Sequence, residues 1–86
     1  MAKTLNRIKM IRDYEKFNGG EQYKLVPREE FPAVATALAS SEGYDFRLVG
    51  YTDKGLEVIT PPILLLVIRS DGKAVAVTEK GERYVF

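Results

Sequence analysis

The chain is 86 residues long, 45% hydrophobic and 29% charged, with a formal net charge of +1 and neither cysteine nor histidine. That length suits one hydrophobic core rather than two, and the composition is that of a folded chain, so residues 1–86 are expected to form a single α+β domain. The missing residue types exclude disulfides, thiolate metal sites and Ser-His or Cys-His nucleophilic pairs, and they remove zinc's usual ligands.

No apolar run approaches the roughly 18–20 residues that span a bilayer. Charges are spread through the first 20 residues, so no signal peptide is expected either. The resulting expectation is a cytoplasmic protein with no membrane partner. The net charge conceals an asymmetry. Residues 1–28 hold seven lysines and arginines against Asp13, Glu15 and Glu21, a net of +4, which leaves −3 for the remainder. Segregation of this kind can steer a polyanion towards one end of a molecule.

Along the chain, Asn18-Gly19 can occupy the centre of a type I′ turn, which needs positive φ at both positions. That predicts a hairpin of residues 8–17 and 21–26, with Lys16 opposite Glu21, Tyr14 opposite Tyr23 and Asp13 opposite Lys24. A rival reading makes residues 5–17 a helix capped by Thr4 and stopped at Gly19, with Met10, Ile11, Tyr14 and Phe17 on one arc.

Phe31, Val34, Ala35 and Leu38 fall at i, i+3, i+4 and i+7, which predicts a helix over residues 28–42. Glu29 and Glu30 suit its N-terminal end, Pro32 must lie in its first turn, and Gly43 supplies the stop. Its other side, Ala33, Ala37, Ser40 and Ser41, is small enough for close approach by another element.

From Tyr44 the pattern turns to short strands: 44–52, 56–60, 63–69, 74–78 and 82–86. Asp53-Lys54-Gly55, Asp71-Gly72 and Lys80-Gly81 turn the chain, and Pro61-Pro62 stiffens one crossover. The expected order is ββαβββββ, one helix on a mainly antiparallel sheet. With Asp71-Gly72 at the centre of its turn, Ile68 faces Val75 and Leu66 faces Val77. Ile63, Leu65 and Val67 then share the other face with Ala74 and Ala76. One helix covers one face. The second requires the sheet to curl into a small barrel or sandwich, or a second copy of the protein to pack on it.

No catalytic constellation stands out. There is no phosphate-binding glycine loop and no calcium-loop spacing. The carboxylate pairs Asp13/Glu15 and Glu29/Glu30 read as a charged strand face and a helix N-terminus. A non-enzymatic protein without cofactor or metal is expected.

Two binding chemistries remain. Lys9, Arg12, Tyr14, Lys16, Tyr23 and Lys24 interleave cations with aromatics on the first hairpin, and Arg12, Tyr14, Lys16 and Tyr23 share one face in the predicted register. Such a surface can neutralise the phosphates of RNA or DNA while rings stack on exposed bases. The alternative is a homodimeric or partner-binding module that uses the apolar strand 63–68.

A third reading comes from "IRSDGKAVAVTEKGERYVF", Ile68 to Phe86. It resembles the C-terminal end of winged-helix DNA-binding domains, in which a basic hairpin wing is often followed by a T-x-K-G turn opening a helix. Thr78-Glu79-Lys80-Gly81 fits that turn and Thr52-Asp53-Lys54-Gly55 repeats it. The resemblance implies DNA binding by a wing, yet that family needs a helix-turn-helix first, where residues 44–67 read as strands. Turn chemistry used twice, with glycine where φ must be positive, is the other reading of T-x-K-G.

Overall fold

The computed structural model describes residues 5–40 and 45–86. Strands β1 (Asn6–Phe17) and β2 (Gly20–Val26) form the N-terminal hairpin, and a 3-10 turn (Arg28–Glu30) leads into α1 (Phe31–Ala39). Five strands follow: β3 (Phe46–Tyr51), β4 (Glu57–Ile59), β5 (Ile63–Ile68), β6 (Ala74–Thr78) and β7 (Arg83–Val85). This is the expected ββαβββββ order. The strands make two antiparallel sheets, β2-β1-β3-β4 and β5-β6-β7, which do not close into a barrel.

The helical alternative for residues 5–17 is not adopted. Met10 and Ile11 are adjacent and both fully buried, which an extended chain achieves by sending successive side chains to opposite faces. Thr4, the proposed cap, lies outside the described residues, as do Ser41, Glu42, Gly43 and Tyr44 at the predicted helix end and strand start.

Helix α1 is shorter than predicted because Arg28–Glu30 winds as 3-10, with Pro32 in the first α-turn. It ends at Ser40, whose backbone N–H and hydroxyl both donate to the Thr36 carbonyl at 3.0 Å. Phe31 and Val34 are buried and Ala35 and Leu38 pack beside them, as their spacing requires.

Both sheets turn one face to a common core. Met10, Val26, Phe46 and Leu48 come from the first sheet, Phe31 and Val34 from the helix, and Ile63, Leu66, Ala74, Ala76 and Tyr84 from the second. The chain passes between sheets at Thr60-Pro61-Pro62. Thr60 is buried, and its hydroxyl accepts from the Leu48 N–H at 3.0 Å and donates to the Pro61 carbonyl at 2.9 Å. That hydroxyl closes the β3–β4 ladder at the point where proline can no longer donate to it.

The two T-x-K-G stretches fold as the same turn. In each, the glycine N–H donates to the threonine carbonyl at 2.9 Å, and the threonine hydroxyl accepts from the residue after the glycine at 3.2 Å. Gly55 and Gly81 have φ of +82° and +81°. T-x-K-G is therefore repeated turn chemistry, and a strand rather than a helix follows Gly81.

Registers depart from expectation in two places. The first hairpin does turn on two residues and pairs Lys16 with Glu21. However, positive φ falls on Gly19 alone (+89°), so the turn is not type I′. Beyond Glu15 the ladder slips: Arg12 lies opposite Lys24 and Ile11 opposite Leu25, with Asp13 at φ +56° as the extra residue of a bulge. The predicted pairs Tyr14/Tyr23 and Asp13/Lys24 are not formed.

A second bulge, at Arg7 (φ +53°), sets two residues of β1 against Gly50. A side chain at Gly50 would come within 2.9 Å of the Leu5 Cβ, so only glycine fits.

The second departure from expectation is the β5–β6 turn. Gly72, at φ +87°, donates to the Arg69 carbonyl at 3.0 Å, and Arg69 donates to the Lys73 carbonyl at 2.7 Å. The turn is thus one residue longer than an Asp-Gly pair at the centre implies. Leu66 faces Ala76, and Val67 faces Val75. The face assignment reverses accordingly. Leu66 joins Ala74 and Ala76 in the core, while Leu65 and Val67 lie on the outer face with Val75 and Val77.

Adjacent residues therefore give opposite outcomes on substitution. Leu66 is 4% exposed, so Leu66→Asp should cost several kcal/mol in urea denaturation, because it buries an unpaired charge. Leu65 is 48% exposed, and Leu65→Asp should unfold within about 0.5 kcal/mol of the parent. Equal losses in both variants would mean that the outer face is dry.

Candidate functional site

The bulge at Asp13 divides the predicted cationic-aromatic surface. Arg12 and Lys24 are paired across the ladder, on the side of Met10 and Val26. Lys16, through Glu21, belongs to the opposite face with Tyr23, and Lys9 shares that face through Ile11. Tyr14 belongs there too, since its hydroxyl donates to Glu21 Oε1 at 3.0 Å. The four residues expected on one face, Arg12, Tyr14, Lys16 and Tyr23, are therefore not together: Arg12 stands apart. The extra residue reverses the alternation beyond it.

Tyr14 is also committed elsewhere. The Arg47 guanidinium lies over its ring at 4.9 Å from the centroid and pairs with Asp45 Oδ1 at 2.9 Å. Arg47 stands opposite Ile11, which is fully buried although outside the main core. This side of the sheet thus has its own small packed centre, with Tyr14, Tyr23, Arg47 and Tyr51 on the same face as Ile11 and Val49. Arg7 caps Tyr51 in the same way, 4.8 Å from the ring centroid.

Both tyrosines ionise above the ordinary phenol value of 10.0. For Tyr14 the causes are loss of hydration, its donated hydrogen bond and the charge of Glu21, with Arg47 opposing them. For Tyr23 loss of hydration leads, followed by the charges of Glu57, Tyr51 and Glu21.

The cations themselves are open. Lys9, Lys16 and Lys24 are exposed and meet no carboxylate within ion-pair distance among the described residues. Arg12 makes only a long 3.8 Å contact with Asp13. Acids are interspersed, however: Asp13, Glu15 and Glu21 line one depression together with Gln22, Tyr23 and Lys24.

The outer face of β5-β6-β7 is of a different kind. Leu65, Val67, Val75, Val77 and Val85 lie on it, Leu64 sits at the bulge beside it, and Arg83, paired with Val77, is its only charged residue among those described. Leu64 is 60% exposed, and Leu65, Val67 and Val85 are each 45% or more exposed. Strands of six, five and three residues, about 4.8 Å apart and rising about 3.3 Å per residue, present a plane of roughly 220 Å², somewhat smaller than the largest apolar patch of an ordinary monomer. The signal in the sequence was Ala74-Val75-Ala76-Val77, small residues alternating with branched ones. The alanines are the core side; sequence reasoning left the core face open and grouped the alanines with Leu65 and Val67 instead of Leu66, because it placed the turn one residue short.

Among the described residues no group of three or more acidic side chains could hold a metal ion, and no helix is long and apolar enough to cross a membrane.

The tyrosine network has an alkaline signature. A phenol whose folded pKa is raised stabilises the fold below pH 10, and that contribution is lost as pH rises through the folded value. Absorbance titration should show Tyr14 and Tyr23 ionising above 10.0, with stability falling in the same window. Glu21→Gln should bring Tyr14 back towards 10.0, since it removes the charge that holds the proton. Ionisation of Tyr14 and Tyr23 at or below 10.0 would contradict this packing.

No protein family, curated protein sequence or solved structure matches the chain, so what it binds has to be read from its own surfaces.

Proposed function

We propose that this protein is a non-catalytic assembly module that pairs with a second copy of itself through the outer face of β5-β6-β7. The observation that carries the reading is the row Leu65, Val67, Val75, Val77 and Val85, aliphatic side chains aligned on one sheet face, with Leu65, Val67 and Val85 exposed and Val75 and Val77 half-buried. Two such faces can pack as the layers of a β-sandwich, about 10 Å apart, with alternating side chains interdigitated. A second copy suits this face because its rim carries both signs, Arg69 with Asp71 and Glu79 with Lys80, and so does not repel itself. The plane is smaller than the roughly 800 Å² per partner of a standard stable interface, so the pairing is weak and concentration-dependent.

Sedimentation over a range of concentrations tests this. The parent should associate in the micromolar to millimolar range, with little sensitivity to salt. Leu65→Asp and Val67→Asp should remain folded and monomeric throughout. A parent that stays monomeric at the highest concentration, or variants that associate equally well, would refute the reading.

A second reading, association of the first hairpin with RNA or DNA, is favoured by the exposure of Lys9, Arg12, Lys16 and Lys24. It relies on charge more than on stacking, since the ring and hydroxyl of Tyr14 are occupied. Replacing Lys9, Arg12 and Lys16 with Gln should weaken retention of every nucleic-acid sequence. It should also flatten the log–log salt dependence by about 0.7–0.9 for each phosphate no longer neutralised, while changing Lys54, Lys73 and Lys80 should matter much less. Absence of any retention by the parent at low salt would dispose of it.

A further inference from the structure

Where β2 gives way to the 3-10 turn, the two sheets and the helix leave a cleft of about 340 Å³. Its walls are apolar: Ile8 and Met10 from β1, Val26 from β2, Phe31 from α1 and Phe86 after β7. The two aromatic rings meet edge to face with centroids 5.6 Å apart. Arg28 is the cation of its walls; Lys9 borders the cleft but sends its side chain to the face of β1 opposite Met10, and no acidic residue among those described lines it.

Arg28 is held in a fixed position. Its guanidinium lies 5.4 Å from the Phe31 centroid and 5.8 Å from that of Phe86, and one terminal nitrogen donates to the Gly72 carbonyl at 3.1 Å. A guanidinium has five N–H donors, so most of its donor capacity remains. Neither Arg28 nor Lys9 pairs with a carboxylate among the described residues. An apolar cleft with an oriented guanidinium and no compensating acid favours one chemistry. It suits a ligand with an apolar body and an anionic head, because the guanidinium gains most from a charge that enters a low-dielectric wall with it. The volume lies at the lower end of ordinary small-molecule sites, which suits a compact molecule rather than a polymer.

We propose that this cleft binds a small amphipathic carboxylate, its apolar body against Ile8, Met10, Phe31 and Phe86 and its head on the Arg28 guanidinium. The site is separate from the apolar sheet face and does not depend on self-association.

The probes are decanoate and decanol, of equal chain length, titrated below micelle-forming concentrations into isotope-labelled protein and followed by amide chemical shifts. Decanoate should cause saturable shifts centred on Ile8, Val26 and Phe86, and decanol should bind at least about tenfold more weakly, as expected when one charge-assisted hydrogen bond is removed. Arg28→Gln should reduce decanoate to the level of decanol. Because Arg28 also packs on core rings, Arg28→Lys serves as the second variant: it keeps a cation on an apolar stem, so it should still bind decanoate more tightly than decanol. Lys9→Gln, on the opposite face of β1, should bind decanoate as the parent does. The proposal is overturned by equal affinity for the two probes, by no saturation at millimolar decanoate, by shifts centred on Leu65 and Val67, by Arg28→Gln binding decanoate as the parent does, or by Arg28→Lys losing the preference for decanoate.

Discussion

The hydrogen bond from Gly72 to the Arg69 carbonyl decides which half of the second sheet is core. It closes a turn whose glycine sits at φ +87°, and that fixes Leu66 opposite Ala76. Side chains alternate with a period of two, so moving this pairing by one residue would exchange every inward and outward group on β5 relative to β6. With the register as it is, the inner face presents Ala74 and Ala76, whose small size leaves room beneath β6 for the larger Phe31, Val34 and Tyr84 of the same core. The larger aliphatics Leu65, Val67, Val75 and Val77 are left outside as a consequence.

A similar argument governs the first sheet. Each of its two bulges inserts one residue into β1, at Arg7 and at Asp13, and both residues take a left-handed conformation. Such backbone costs on the order of 1 kcal/mol or more per residue and persists only where the surroundings determine it. At Arg7 the determinants are Gly50, which admits the crowded strand, and Tyr51, whose ring the Arg7 side chain covers. At Asp13 the backbone N–H donates to the Asp45 carbonyl at 3.1 Å, beyond the start of β3. The bulge there separates Arg12 from Lys16, and so breaks one cationic surface into two.

The molecule therefore carries three distinct surfaces. An apolar plane lies on the back of β5-β6-β7, two open lysines, Lys9 and Lys16, share a face with a packed tyrosine cluster in the first sheet, and an apolar cleft with an oriented guanidinium sits at the junction of the sheets. Their physical characters differ enough to be separated by salt. Burial of the plane responds little to ionic strength, while the lysines and the cleft respond to it in proportion to the charge they meet.

Local chemistry carried most of the fold. The i, i+3, i+4, i+7 spacing of Phe31, Val34, Ala35 and Leu38, the positive-φ glycines at 19, 55, 72 and 81, and the double proline each act within a few residues. The element order and the identity of T-x-K-G as a turn were legible for that reason. The tertiary structure alone settled the registers, because a bulge at Asp13 or one more residue in the Arg69–Lys73 turn costs little locally. Such a choice is made by what packs on the finished sheet. The candidate surfaces inherit that division: the residue types were visible in the chain, while the faces on which they meet depended on contacts between elements distant in sequence.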